Sequence, residues 1–399
     1  MTEIQDRWRR RTLLFFLSQC ITLFGSQVVQ MAIVWHVTLN TNSGAWVAAF
    51  SVCSYLPQFF VSFLGGVWAD RYSRKRLILA ADAWIAVVTF LMLLIMPYIT
   101  RQRLLLAALL LMSVIRSAGA GVQTPAVNAV IPDLVPQEHR MRYNGINAAM
   151  QSTVQFIAPA AAAVVLAVYS LRLTLTIDIL TAAIGMGMLV CLRLPHETNV
   201  QHERQILKDM GNGAKYAYDC RQVRSILIIY GLFLFFSVPA GYLAGLHVRR
   251  VYGDTVWHLT TVELVGFGGM AAGGLLMSLW NGFKRSKNTL ACGLALFGFM
   301  AVGMSVSSSF KLYLVCMALY GVALTAVQTA ITTMLQKAAD SAMQGRVFGF
   351  MSALYASCYP LGMALFGPLA DGVPLQWMMM ISGVALIGLA AMAYSRPER

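Results

Sequence analysis

Long apolar stretches separated by short polar segments run through the whole chain. A window of about twenty residues, the length of a helix that crosses a bilayer, detects twelve of them. The stretches are continuous rather than alternating, and every backbone N–H and C=O in lipid must be paired, so the pattern predicts spanning helices rather than barrel strands. The predicted helices lie near 13–38, 44–68, 77–97, 103–130, 144–169, 172–193, 225–248, 256–280, 289–308, 311–336, 344–369 and 374–394.

A polar segment divides the twelve predicted helices into two sets of six. We therefore predict an all-α polytopic membrane protein with an N-terminal half (1–193), a linker on the cytoplasmic side (194–224) and a C-terminal half (225–399). Short motifs recur at similar positions in the two halves, which favours an internal duplication. The clearest are two glycine pairs near the end of the second helix of each half, at 65–66 and 273–274.

The charge of the chain follows its predicted topology. Hydrophobic residues make up 58% of the 399 residues and charged residues 12%, with a formal net charge of +14. With the N-terminus inside, one of the 30 Lys and Arg residues lies within a span, six lie in external segments and the other 23 in cytoplasmic segments. This is the positive-inside pattern, and because no soluble basic domain is present we exclude a nucleic-acid partner. We expect both termini to be cytoplasmic.

No motif of a catalytic or metal site is found. The seven cysteines are widely spaced without a CxxC pair, and neither HExxH nor a Walker A motif occurs. We therefore expect no enzyme activity, no metal and no cofactor. Without a nucleotide site, uphill transport would depend on an ion gradient.

The segment after the second predicted helix carries the most specific motif. Gly66 is followed, after three intervening residues, by Asp70-Arg71 and then by a basic cluster that begins at Arg74, which matches the major facilitator signature. A carboxylate at this position can bond the N-terminus of a neighbouring helix, where the macrodipole favours an anion. We predict a conformational latch here, with Arg346 at the corresponding loop of the C-terminal half. A plain basic topogenic loop is the alternative.

Four charged residues well inside predicted spans are candidates for a functional role. Arg116 is central in the fourth, where a charge costs about 2.5–3.5 kcal/mol, so it must face the bundle interior or a wet cavity. Asp178 and Glu263 lie about 10 Å from the outer face, and either could exchange a proton or hold a cationic substrate. Glu263 is the better candidate, and for Asp178 a structural hydrogen bond is an equal alternative. Asp82 is also a candidate, although we expect it to brace the adjacent basic loop.

The first predicted helix carries three glutamines on roughly one face, Gln19, Gln27 and Gln30. Amides in this arrangement could line a cavity or bond neighbouring helices, and the sequence does not separate the two roles.

Several further segments resemble one branch of the major facilitator superfamily, drug:proton antiporter group 3. The similarity is to its macrolide-efflux proteins, and the group also contains siderophore exporters. The resemblance implies the major facilitator fold and proton-coupled export of macrolide-like drugs. The fifth helix departs from better-known antiporter groups, because their proline-glycine signature is reduced to Ala158-Pro159-Ala160. The segments that carry the resemblance are 124–132, 147–151, 177–178, 262–263 and 345–348.

We therefore expect a proton-coupled secondary exporter of lipophilic small molecules, most of all macrolides or multiple drugs, that works by alternating access. Its partners would be the lipid bilayer, protons and the substrate, and we expect a monomer in the bacterial cytoplasmic membrane. The alternatives are an exporter of a siderophore or another endogenous metabolite, and a membrane sensor that transports nothing.

Overall fold

The computed structural model describes residues 2–136, 139–168, 170–192, 216, 218–280, 282–283, 285–340 and 343–395. Within these ranges the chain is helical, with one short 3-10 turn at Met96–Tyr98 and no strand. The helices are α1 (Thr2–Thr41), α2 (Gly44–Arg71), α3 (Arg74–Ile95), α4 (Gln102–Leu134), α5 (Arg140–Val168), α6 (Leu171–Cys191), α7 (Arg221–Gly241), α8 (Ala244–Tyr252), α9 (Val256–Trp280), α10 (Ser286–Val306), α11 (Phe310–Ala338), α12 (Gln344–Gly372) and α13 (Leu375–Ser395).

In the described part of the chain, eleven helical segments are long and apolar enough to cross a membrane. Helices α7 and α8 together form one of them, Arg221–Tyr252. The one predicted span not among these eleven is the fifth, 144–169, which corresponds to α5, whose apolar stretch Met150–Leu166 is shorter than the others. The predicted class, an all-α polytopic membrane protein, is therefore confirmed.

The chain divides into two compact units. The first comprises Met1–Val37 and Cys53–Glu203, and the second comprises Thr38–Val52 and Arg204–Arg399. The turn between α1 and α2 thus belongs to the second unit, although its sequence lies in the predicted N-terminal half. Most of the predicted linker, 194–224, lies outside the described residues.

Equivalent helices pack together inside each unit. In the first unit α3 contacts α4 and α6, and in the second unit α10 contacts α11 and α13. Glycines allow a second pair of close contacts: a Cβ on Gly65 of α2 would lie 2.5 Å from the carbonyl oxygen of Gly121 on α4. A Cβ on Gly273 of α9 would lie 2.9 Å from Cα of Val322 on α11. Small residues permit this close approach of backbones in lipid, where the hydrophobic effect does not drive association.

Only one glycine of each repeated pair makes the close contact. A Cβ on Gly66, which we predicted to be part of the latch, would meet no atom within 4 Å, and the same is true of Gly274. The close-packed position in α2 is therefore Gly65. The reason is helical periodicity, since adjacent residues point about 100° apart around the helix axis and only one of them faces α4.

The glycine pair gives a matched test of this packing. We expect Gly65→Ala to lower the melting temperature of the detergent-purified protein, because its methyl group would overlap the α4 backbone at a cost of about 1–3 kcal/mol. Gly66→Ala gains the same helix propensity without a clash, so its melting temperature should equal or exceed that of the unchanged protein. Equal melting temperatures for the two variants would contradict the assignment.

Candidate functional site

A buried ion pair lies at the centre of the first unit. The Arg116 guanidinium of α4 pairs with the Asp178 carboxylate of α6, and the two side chains are 11% and 2% exposed. Thr89 of α3 accepts a hydrogen bond from Arg116 and donates one of 3.0 Å to Asp178. Ser26 of α1 donates to the second Asp178 oxygen at 3.3 Å. Both oxygens of the carboxylate therefore accept hydrogen bonds, and four helices contribute to one cluster.

The pairing explains how two charges are tolerated inside the membrane-spanning part of the protein. An isolated ion there loses its hydration, and a partner repays this loss only when the remaining polar atoms are also bonded. Arg116 and Asp178 meet this condition, because hydroxyl groups occupy the positions around the pair. From sequence, Arg116 and Asp178 were separate candidates, and the structure brings them together.

Helix α3 supplies polar groups to this cluster because one of its faces is buried. The buried residues of α3 recur at intervals of three and four, which is the period of a helix face, and α3 packs against α4 and α6. Two of them, Asp82 and Thr89, are polar and lie two turns apart on that face. The full buried set is Ile78, Ala81, Asp82, Ile85, Thr89 and Met92.

Asp82 faces the interior of the first unit. It is 5% exposed, and one carboxylate oxygen accepts a hydrogen bond of 2.5 Å from the Gln123 side-chain amide of α4. The other oxygen has no hydrogen-bond partner in the described residues. Our expectation that Asp82 braces the basic loop is wrong. Asp82 lies two turns into α3, on the face turned towards α4 rather than the loop.

A pocket of about 110 Å³ opens beside Gln123. Apolar side chains form part of its wall, and amides and one hydroxyl form the remainder, so none of the described residues that line it is ionised. Gln19 contributes to this lining, whereas Gln27 and Gln30 are half-buried on α1 outside it. The complete lining is Phe16, Gln19, Cys20, Leu23, Gln123, Thr124, Val127, Asn128, Asn147, Met150 and Gln151.

Gln123 connects the pocket to the buried charges. Its side chain is part of the pocket wall and also donates to Asp82, which lies on the same buried face of α3 as Thr89 of the ion-pair cluster. A change of charge on Asp82 would therefore alter the hydrogen bonding of a residue that a ligand touches. This arrangement can link the protonation of a buried carboxyl to the occupancy of a neutral binding pocket.

Glu263 lies in the second unit, half-buried on α9. Helix α9 packs against α11, and Tyr313 of α11 stacks on His247 of α8 with ring centroids 5.5 Å apart. The Tyr313 hydroxyl and both His247 ring nitrogens are buried without a hydrogen-bond partner in the part of the chain that the structure describes. Glu263 is not among the residues that line the pocket of the first unit.

The basic residues of the predicted latch bind helix ends within the first unit. Arg74 forms an ion pair with Asp133 and donates to the Ala129 carbonyl at 2.9 Å, near the end of α4. Lys75 donates to two carbonyls at the end of α6, those of Val190 (2.8 Å) and Leu192 (2.7 Å). Cations at these positions satisfy terminal carbonyls and complement the helix dipoles.

The remaining latch residues are only partly described. The side chains of Asp70 and Arg346 lie outside the described residues, and Arg71 is exposed at the end of α2. The predicted contact between Asp70 and a helix N-terminus therefore stays a prediction.

Three residues of the site were missed from the sequence. Thr89 could have been found, because its spacing of seven from Asp82 places both on one helix face. Ser26 and Gln123 carry no such signal, since isolated serine and glutamine residues are common in spans and only the packing of α1 and α4 brings them to the carboxylates.

Comparison with known sequences gives matches along almost the whole chain. A family model described as Major Facilitator Superfamily matches residues 15–350. Macrolide efflux protein A of Streptococcus pyogenes is 26% identical over 392 residues, which cover 97% of this chain and 96% of that protein. The enterobactin exporter EntS of Shigella boydii serotype 4 is 26% identical over 397 residues, which cover 93% of this chain and 90% of the exporter.

Solved structures with the same fold include a mutant of the nucleoside transporter NupG. It superposes with a TM-score of 0.73 at 15% sequence identity, covering 97% of this chain and 99% of that chain. A bacterial homologue of the iron transporter ferroportin, in an inward-facing state, gives a TM-score of 0.70 at 16% identity over 97% and 99% of the two chains. At this level of identity the likeness concerns the fold alone.

A double-mutant cycle tests the buried ion pair. We expect Asp178→Asn and Arg116→Met each to destabilise the purified protein by about 3–5 kcal/mol, because each leaves one buried charge unpaired. The double variant should lose less unfolding free energy than the two single variants lose together. Its cluster is neutral, and Thr89 and Ser26 can still bond the asparagine amide at position 178. Unfolding in detergent measures all three variants. Additive losses would contradict a direct pair.

Proposed function

Because the chain belongs to the Major Facilitator Superfamily and is therefore a membrane transporter, we propose that it exports lipophilic small molecules in exchange for protons. The observation that carries this proposal is the hydrogen bond between Gln123, which lines a neutral pocket, and Asp82, a buried carboxyl. The nearly full-length likeness to macrolide efflux protein A supports export and a macrolide-like substrate.

The pocket favours an uncharged part of a ligand that can form hydrogen bonds. Its amides can each donate and accept, and its apolar side chains provide van der Waals contact. The lactone ring of a macrolide presents hydroxyl and carbonyl oxygens on a large apolar frame and matches this lining, whereas its basic amino sugar, a cation at neutral pH, would lie outside the pocket. A pocket of about 110 Å³ takes only part of such a molecule, for example one edge of the ring.

Asp82 is the proposed proton carrier of the first unit. An ionised carboxylate is costly where one neutral amide is its only hydrogen-bond partner in the described residues, whereas Asp178 is balanced by Arg116. When Asp82 is ionised, Gln123 donates its amide N–H to Asp82, which leaves its carbonyl oxygen to accept from a substrate hydroxyl. When Asp82 is protonated, its O–H can donate to that carbonyl oxygen. The substrate then loses an acceptor, and proton uptake favours substrate release.

The driving force is adequate for accumulation. One proton that moves down a potential of 100 mV contributes about 2.3 kcal/mol, which corresponds to roughly a fifty-fold concentration ratio. The bacterial relatives and the distribution of basic residues support a place in the bacterial cytoplasmic membrane with both termini cytoplasmic. The protein would work as a monomer with lipid, protons and substrate as its partners.

A siderophore or other endogenous metabolite is the second candidate substrate. It is favoured by the likeness to the enterobactin exporter EntS, which covers 93% of this chain. Drug susceptibility of an efflux-deficient bacterial host that expresses the protein, compared with siderophore secretion under iron limitation, separates the two. A sensor that transports nothing would change neither phenotype and would move no protons when ligand is added.

The coupling role of Asp82 can be tested in proteoliposomes with erythromycin as the probe. We expect Asp82→Asn to reduce export driven by a pH gradient by about tenfold or more, because a permanently neutral side chain cannot carry the proton. Counterflow exchange of erythromycin, which needs no net proton movement, should persist. Asp219→Asn, which removes an exposed carboxylate, is the control and should leave both rates unchanged. Equal loss of both rates in Asp82→Asn would indicate a structural role.

Glu263 can be tested as a second coupling carboxyl. We expect Glu263→Gln to reduce proton-driven export while expression stays normal, because the amide keeps the size of the side chain but cannot exchange a proton. The measurement is the dependence of export on the pH gradient in the same vesicles. An unchanged pH dependence rules out a role for Glu263, and the combination with Asp82→Asn shows whether the two carboxyls act together.

A further inference from the structure

A second carboxylate motif lies at the end of α12, and nothing in the proposed function uses it. Helix α2 ends with Gly66-Val67-Trp68-Ala69-Asp70-Arg71, and α12 ends with Gly367-Pro368-Leu369-Ala370-Asp371-Gly372. Both segments follow the pattern Gly-x-x-Ala-Asp, and in both the aspartate is the residue before the last of its helix. The first segment contains the predicted latch, and the second was not detected from the sequence.

Asp371 binds the N-terminus of α2 within the second unit. Its carboxylate accepts hydrogen bonds from the backbone N–H of Gly44 (2.6 Å) and of Ala45 (3.1 Å), the first two residues of α2. The Ser43 hydroxyl donates to the same carboxylate at 2.7 Å. Free N–H groups and the positive end of the helix dipole make this position favourable for an anion.

Arg250 of α8 supplies the positive charge that pairs with Asp371 in this contact. It pairs with Asp371 at 3.3 Å and donates to the Ala370 carbonyl at the end of α12 (2.6 Å). It also donates to the backbone carbonyl of Asn42, just beyond the end of α1, at 2.7 Å. One cation thus binds two C-terminal helix ends while one anion binds an N-terminal end. Asn42 adopts the left-handed backbone conformation (φ 52°) that the tight turn between α1 and α2 requires.

Small residues bring the two helices together beneath these polar groups. A Cβ added to Gly44 would overlap the Gly367 carbonyl, and a Cβ on Gly367 would overlap Ala48. The backbones of α2 and α12 are therefore in direct contact. The two helices run antiparallel, because Gly44 lies beside Asp371 whereas Ala48 lies beside Gly367. At the polar end, the Asp371 and Arg250 side chains are 35% and 24% exposed.

We infer that Asp371, Arg250 and the start of α2 form a releasable latch. This latch, at the end of α12, corresponds to the one predicted for Asp70 at the end of α2. A contact of this kind suits a reversible closure. Its hydrogen bonds are charge-assisted, yet the charged groups are part-exposed, so water can replace each bond when the helices separate.

Only the opening of the latch during transport rests on the proposed function. The latch itself can be observed on the purified protein without substrate. Hydrogen–deuterium exchange measured by mass spectrometry reports on the amides of Gly44 and Ala45, which are the donors to Asp371. The variants are Asp371→Asn, which removes the charge, and Asp371→Ala, which removes every acceptor. The control is Asp254→Asn, which removes another exposed carboxylate from the same unit.

We expect exchange at residues 44–52 of α2 and at residues 363–372 of α12 to rise together, by about tenfold or more in Asp371→Ala and by less in Asp371→Asn. Asp254→Asn should leave both segments unchanged. A rise confined to Gly44 and Ala45 would show an ordinary helix cap and would overturn the latch. Unchanged exchange in both Asp371 variants would overturn the contact itself.

A reversible cross-link tests whether the latch must open during transport. In a chain whose seven native cysteines are replaced, Ser43→Cys with Asp371→Cys should form a disulfide on oxidation and stop erythromycin export, and reduction should restore it. Export that continues in the oxidised protein overturns the latch. If the unchanged protein exports no erythromycin in the same assay, the proposed substrate is wrong, whereas the exchange experiment still decides the latch.

Discussion

Loss of hydration inside the membrane is the constraint on which the described polar contacts depend. A charge or a free backbone group in this environment must find its partner within the protein. In the first unit Arg116 and Asp178 satisfy each other, and hydroxyls of α1 and α3 occupy the remaining positions. The cluster therefore fixes the mutual positions of α1, α3, α4 and α6, because shifting any of them would break a bond that lipid cannot replace.

The same constraint operates at the ends of the helices, where it places charged side chains on terminal backbone groups. Lys75 binds the carbonyls that end α6, Arg74 binds a carbonyl near the end of α4, and Asp371 binds the amides that begin α2. The basic residues beside the spans are usually explained by topology alone. Here two of them also close helix ends, so that a residue which orients the chain in the membrane also holds neighbouring helices together.

The sequence predicts the class of the fold well because the hydrophobic length of a span is a local property. It also identifies Arg116, Asp178 and Asp82 as unusual, since a charge within an apolar stretch is visible without knowing its neighbours. It does not pair them, because Arg116 and Asp178 are 62 residues apart and meet only through the packing of α4 and α6. Asp371 escaped notice for a related reason. A carboxylate at a predicted helix end is expected in water, and its partners at the start of α2 are 327 and 326 residues away.

The neutral lining of the pocket and the buried charges beside it point to a division of roles. A charged pocket would bind a neutral lipophilic ligand poorly, because the ligand would have to remove water from the charge without replacing its hydrogen bonds. Coupling to protons nevertheless needs a titrating group that responds to the ligand. Asp82 is the titrating group, and Gln123 connects it to the pocket, since an amide can reverse its donor and acceptor groups by rotating about one bond. The charge on Asp82 can then change the pocket's hydrogen bonding while the pocket itself stays uncharged.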